Sequence, residues 1–244
     1  MSVVTVALAC GGLVKGTLGI GMPLTAMPIL SLYLPLTTSV PVLALAMLAS
    51  NFVQMFNGGM VRESAARFWP VLIALCAGLF AGTRILVAVD QRVLFLALGT
   101  LVFVFAVINL RGWQPDVSPA HERWLGPVLG AFGGVFGGFT SIFGPPLILL
   151  MVALRLPKER FIAAIGLVFF VGGVALNLAL ASLPVYGREQ FLLGLYSNLP
   201  LFAGMWLGQR VRVRIPQEAF RKAVLALLTV ASLSLLYRGA SGFF

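Results

Sequence analysis

Apolar positions dominate the chain, and polar positions gather at intervals that cut it into segments of helical length. Apolar runs at about 2–34, 39–57, 68–89 and 93–110 are followed by runs at 126–154, 161–183, 190–209 and 218–237. Between the two groups lies RGWQPDVSPAHERW, residues 111 to 124, the longest polar stretch and an evident linker. Runs of about 18 or more residues with few or no charges predict helices that cross a bilayer. The first run of each group departs from this pattern. Glycines interrupt it and proline follows, as GGLVKGTLGIGMP at 11–23 and GGFTSIFGPP at 137–146. A glycine-rich turn at membrane depth exposes backbone groups that lipid cannot satisfy, so such a break must be buried in protein or line an aqueous cavity.

The pattern is written twice. At an offset of 122, Gly11, Gly12, Gly16, Ile20 and Pro23 fall on Gly133, Gly134, Gly138, Ile142 and Pro145. At an offset of 126, Ala77, Gly78, Gly82 and Arg84 fall on Ala203, Gly204, Gly208 and Arg210, and Asn57 meets Asn177 at 120. The expected organisation is a first transmembrane repeat at 1–110, a polar cytoplasmic linker at 111–125 and a second transmembrane repeat at 126–244.

Composition agrees with a polytopic membrane protein. Of 244 residues 60% are hydrophobic and 10% charged, and the mean hydropathy is +1.03. The net charge of +10 comes from 17 Lys and Arg scattered through short loops, which indicates loop orientation rather than nucleic-acid binding. Cys10 and Cys76 lie inside apolar segments and read as packing residues. The N-terminus lacks the basic region of a cleavable signal and is expected to be mature protein.

The positive charges also choose a topology. If each broken segment folds back as a hairpin, Arg62, Arg67, Arg111, Arg123, Arg155, Lys158, Arg160, Arg210, Arg212, Arg214, Arg221 and Lys222 share one side, against Arg84, Arg92, Arg188 and Arg238. If it crosses once, the same loops divide ten to six. The twelve-to-four division is the stronger positive-inside signal. The expected fold is therefore an all-α polytopic membrane protein of two inverted repeats. Each repeat is a glycine-broken re-entrant hairpin, built of two helices of about 14 residues, plus three transmembrane helices. Both termini then lie on the non-cytoplasmic face.

Paired breaks in an inverted repeat are the sequence signature of a transporter site near the membrane midplane. Anion binding suits this one. Helices starting at Met22-Pro23 and Gly144-Pro145 would aim N–H groups and a positive dipole end into a cavity. Gly16, Gly19, Gly21 and Gly144 let an anion approach the backbone, while Thr17, Thr140 and Ser141 add hydroxyls. Lys15 adds a full positive charge, and an ionisable residue at that depth is a functional candidate by default. Asn51, Gln54 and Asn57 share a helix face; Asn51 and Asn177 are either ligands or interhelical hydrogen-bond partners. The structural alternatives are plain: Gly78/Gly82 and Gly204/Gly208, spaced as GxxxG, suit close helix packing, and Lys15 can snorkel. All seven acids fall in loops or at segment ends and the one histidine, His121, lies in the linker. A cation pathway, metal chemistry and an intramembrane serine protease therefore lack their residues, and no cofactor is expected.

The two breaks, GGLVKGTLGIGMPLTAMPIL and GGVFGGFTSIFGPPLILLMVALRLPKERFIAA, with the downstream AGLFAGTRI and AGMWLGQRV, resemble the paired signature of the sulfite exporter TauE/SafE family. The resemblance spans essentially the whole chain. It implies a carrier of the cell inner membrane for small sulfur-containing anions such as sulfite, sulfonates or sulfoacetate. The expected direction is export, and a homodimer is one possible assembly. The competing readings are a non-transporting membrane assembly protein and an anion channel.

Overall fold

The structure, a computed structural model, describes residues 1–56, 60–111, 117–214 and 216–241. Among them are ten helices and no strand: α1 (Ser2–Leu18), α2 (Met22–Ser31), α3 (Leu36–Phe56), α4 (Val61–Ala88), α5 (Gln91–Leu110), α6 (Pro119–Thr140), α7 (Gly144–Ala153), α8 (Lys158–Ala181), α9 (Arg188–Arg214) and α10 (Gln217–Ser241). The protein is an all-helical, polytopic membrane protein. Five helices, α4, α5, α8, α9 and α10, are long and apolar enough to cross a bilayer. Shorter apolar stretches are α1, α2, α7 and Leu36–Phe52 of α3.

Each apolar run becomes a helix, and each break becomes a helix end followed by a helix start. The halves of the breaks are uneven: 17 and 10 residues in the first, 22 and 10 in the second. Two helices of about 14 residues were the expectation, so the split differs. The turn lies at the end of the glycine cluster, which lengthens the first arm, and α6 begins at Pro119 behind Ser118. The second half of the polar stretch is thus helical: its charged residues sit on the exposed first turns of α6, where Glu122 also suits the helix dipole.

The chain forms two compact units. One holds α1, α2, α3 up to Ala46, α5, α9 and α10; the other holds α3 from Met47, α4, α6, α7 and α8. Each unit thus combines one break with helices from the opposite half of the sequence.

In the first unit α1 lies along α9 in parallel. Thr5 Oγ1 meets the Tyr196 hydroxyl at 3.0 Å, and Thr17 Oγ1 donates to the Gly208 carbonyl at 3.0 Å. A Cβ on Gly12 or Gly16 would run into α9 backbone at Leu201 and Met205, and a Cβ on Gly204 or Gly208 into α1 backbone at Ala9 and Leu13. In the second unit α4 and α6 repeat this. Gly78 and Gly82 face Ala131 and Val135, and Gly134 faces Leu75. Ala9 and Leu13 are the residues that Ala131 and Val135 match at the 122 offset, so the repeated glycines make equivalent contacts in the two units. Close approach of two backbones is what small residues permit in a membrane, where apolar side chains gain nothing from leaving lipid.

Elsewhere in the first unit α5 and α10 run antiparallel: Gly99 faces Ser232 and Leu236, while Gly239 faces Arg92 and Leu96. Arg238 of α10 donates to the carbonyls of Ser31 and Leu32 at the end of α2.

Candidate functional site

At the first break α1 ends on Gly19, which takes a left-handed conformation at φ 83° and donates its N–H to the Lys15 carbonyl at 2.8 Å. Gly21 follows at φ 95°, and α2 opens with Met22-Pro23. Two residues with positive φ in three reverse the chain sharply, a demand glycine meets without a Cβ clash. The reversal is complete: a Cβ on Gly11 would be 3.0 Å from Ala26 Cβ. Lys15 is one helical turn beyond Gly11 on the same stripe of α1, the stripe that faces α2, and it is 6% exposed. A lysine is thus held buried at the mouth of the turn.

Its neighbours have other tasks. Gly16 faces the α9 backbone, and the Thr17 hydroxyl lies 2.8 Å from the Leu13 carbonyl and 3.0 Å from that of Gly208, fastening α1 to α9. Thr25 returns its N–H to Gly21 O at 3.1 Å, so the N–H groups of Met22 and Leu24 are what the start of α2 leaves over.

The second break has the same outline. Ser141, the match of Gly19, is left-handed at φ 59° and donates its N–H to the Gly137 carbonyl at 2.7 Å. The hairpin closes where Val117 N–H meets the Ala153 carbonyl at 3.2 Å. The interior differs. Phe143 stands where the first break has Gly21. It is fully buried, packs edge-on against Phe169 at 5.7 Å between centroids, and fills the space a side chain would need at Gly137 or Gly172. A Cβ on Gly144 would lie 2.9 Å from the Phe169 ring. Pro145 and Pro146 remove two of the N–H groups that the first turn of α7 would otherwise present. Thr140 Oγ1 donates to Phe136 O at 2.6 Å and accepts from Ile142 N at 3.0 Å.

The ten candidate residues divide by unit. Lys15, Gly16, Thr17, Gly19 and Gly21 gather at the first break; Asn51, Thr140, Ser141, Gly144 and Asn177 belong to the second unit. Asn51, buried in α3, reaches the carbonyl of Phe169 at 3.5 Å and so adjoins the ring that covers Gly144. Asn177 is set apart: its Nδ2 donates to Gly173 O at 2.8 Å and its Oδ1 accepts from the Tyr186 hydroxyl at 3.1 Å, tying α8 to the loop that follows. Burial there pushes the Tyr186 phenol above its ordinary pKa. Asn57 lies outside the described residues. Sequence reasoning missed Phe143 and Phe169. The available signal was the mismatch of Phe143 with Gly21 and of Gly137 with Lys15 in an otherwise matching pair of breaks.

Compared with known families, residues 4–235 match the family described as Sulfite exporter TauE/SafE. The chain belongs to the TauE/SafE family. It is therefore a multi-pass membrane transporter of the sulfite-exporter class, with a small anion and the lipid bilayer as its partners. Comparison with curated proteins and with solved structures finds no match. Within this TauE/SafE chain the matched region takes in both breaks and the glycines through which α4 and α9 pack.

Proposed function

We propose that this TauE/SafE protein is a secondary carrier that exports a small sulfur oxyanion, sulfite or an organic sulfonate such as sulfoacetate, across the cell inner membrane. The first break holds the anion and Lys15 is its cationic anchor. The observation that carries this reading is a lysine kept buried on the α2-facing stripe of α1, one turn before two left-handed glycines. Burying an ammonium group at membrane depth costs about 2.5–3.5 kcal/mol even on the lenient insertion scale, which a bound anion offsets. Gly19 and Gly21 supply open backbone beside it, and the N–H groups of Met22 and Leu24 add donors. Thr140, Ser141 and Gly144 serve the second break as a framework for the moving hairpin, and Asn51 and Asn177 hold α8.

Inverted repeats are supported by two features. The last helices of the two halves, α5 and α10, run antiparallel inside one unit. Arg67 and Arg160 line one cavity, and Arg67 pairs with Glu122, so the starts of α4, α6 and α8 share a side, as the twelve-to-four charge division requires. That side is the cytoplasm, with both termini opposite. Transport then proceeds by alternating access of the two hairpins. The close packing around Phe143 is also what a membrane protein without a transported ligand would show, and flux decides between the readings.

The test is sulfite and sulfonate flux in proteoliposomes at matched reconstitution. Lys15→Met is expected to abolish saturable flux, and Lys15→Arg to keep part of it, because the charge remains while its shape changes. Wild-type affinity and rate in Lys15→Met would remove the anchor.

A further inference from the structure

In the second unit, where α4 begins and α7 runs into α8, the chain forms an open cavity of about 120 Å³. On that measure a single water needs only ~10–15 Å³. Its polar wall is Ser64 and Arg67 of α4 with Arg160 of α8; Met60, Phe68 and Leu156 form the apolar wall, and Glu63 completes the lining.

Three features of this wall point the same way. Ser64 is 6% exposed, yet no described residue hydrogen-bonds its hydroxyl, although it lines the cavity. A hydroxyl that opens on the cavity can donate to an oxygen bound there. The Arg67 guanidinium is fixed in place by Glu122, with Nε donating to Oε1 and Nη2 to Oε2, each at 2.8 Å. That engages two of its five donors and leaves three in a rigid fork. Arg160 contributes a second guanidinium, and among the described residues its charge meets no carboxylate within ion-pair distance. The first turn of α4 adds the N–H groups that precede the bond from Ser64 N to Met60 O.

The geometry points to a second oxyanion site in this cavity, carried by Ser64, Arg67 and Arg160, for a tetrahedral sulfur or phosphorus oxyanion. Fork-shaped guanidinium groups and a hydroxyl donor match such an anion, and a carboxylate at the rim opposes it. Glu63 therefore sets the affinity from the unfavourable side. The anion is either free in solution or the phosphate of a lipid headgroup, since both present the same oxygens.

The site shares no residue with the first break, and one series of full-length variants separates the two. Binding of labelled inorganic sulfate and phosphate is measured in phosphatidylcholine nanodiscs for wild type, Lys15→Met, Ser64→Ala, Arg160→Gln and Glu63→Gln. Binding that survives Lys15→Met is expected to weaken about tenfold in Arg160→Gln and a few-fold in Ser64→Ala, and to tighten in Glu63→Gln. Melting without ligand controls for folding. In a second arm phosphatidylglycerol is added to the discs. A rise in melting temperature with that lipid, lost in Arg160→Gln, identifies the headgroup as the source; weakened binding of the free anions alone identifies a soluble one. Binding in the Lys15→Met background that ignores both Arg160→Gln and Ser64→Ala, together with no lipid-dependent shift, overturns the site. Loss in Arg160→Gln with none in Lys15→Met keeps the cavity and removes the anchor instead.

Discussion

Replacing Gly82 with alanine probes the contact that repeats in both units. A Cβ built there would sit 3.0 Å from Gly138 Cα and 2.9 Å from the Val135 carbonyl carbon, and closer still to the Val135 oxygen. Carbon atoms pack best at about 3.5–4.0 Å, so α4 and α6 must separate by roughly 1 Å at this level. Such a gap forfeits a quarter to a half of each ~0.1–0.2 kcal/mol contact across the crossing. Over some tens of atom pairs the loss is about 1–3 kcal/mol, the usual range for overpacking. For a chain of this size that corresponds to a fall in melting temperature of roughly 3–10 °C. Thermal unfolding in a defined detergent, followed by tryptophan fluorescence, reads it. Gly208→Ala, which meets Leu13 and Thr17 of α1 in the same way, is expected to cost a similar amount, whereas Ala203→Val on the exposed side of α9 leaves melting unchanged. If both glycine variants melt within 1 °C of wild type, backbone contact at these crossings is not what holds the helices together.

Phe143→Ala empties the space between Gly137, Gly172 and Phe169 and should cost about 3–5 kcal/mol of stability, read by the same melting assay; unchanged melting would mean the hairpin collapses onto the gap. Gly19→Ala forces a side chain into a left-handed turn at φ 83° and should cost about 1–2 kcal/mol, with Gly19→Asn cheaper; equal costs would show that the turn rearranges. Tyr186→Phe removes the bond to Asn177 and should cost about 0.5–1.5 kcal/mol near neutral pH. Because burial raises this phenol in the folded state, its contribution is complete below the unfolded value near 10 and is lost as pH rises through the folded value. The gap between wild type and Tyr186→Phe should therefore close in strong alkali, and a gap that widens there would contradict the assignment.

Much of the fold is legible in the residues themselves. Apolar run length decides where helices form, because a bilayer tolerates no other open backbone. Gly19 and Gly21 before Pro23, and Ser141 and Gly144 before Pro145, mark the breaks. The matched glycines Gly12, Gly134, Gly78 and Gly204 reveal the repetition in the sequence alone. What the pattern leaves open is partnership. Helices apolar on every side carry no stripe that points to a neighbour, so nothing in α1 says that it packs on α9 of the other half, or that α6 packs on α4. Only tertiary structure decides this, through backbones that fit closely enough for a glycine face on one helix to receive the carbonyls of another. The same holds for the polar groups. Thr17 and Thr140 look like ligands in sequence, and folding turns their hydroxyls to backbone carbonyls close at hand. The contrast between the breaks is likewise decided by conformation. Gly21 at positive φ turns the chain back beside Lys15, whereas Phe143 at φ −106° lays its side chain against Gly137, where no longer side chain fits.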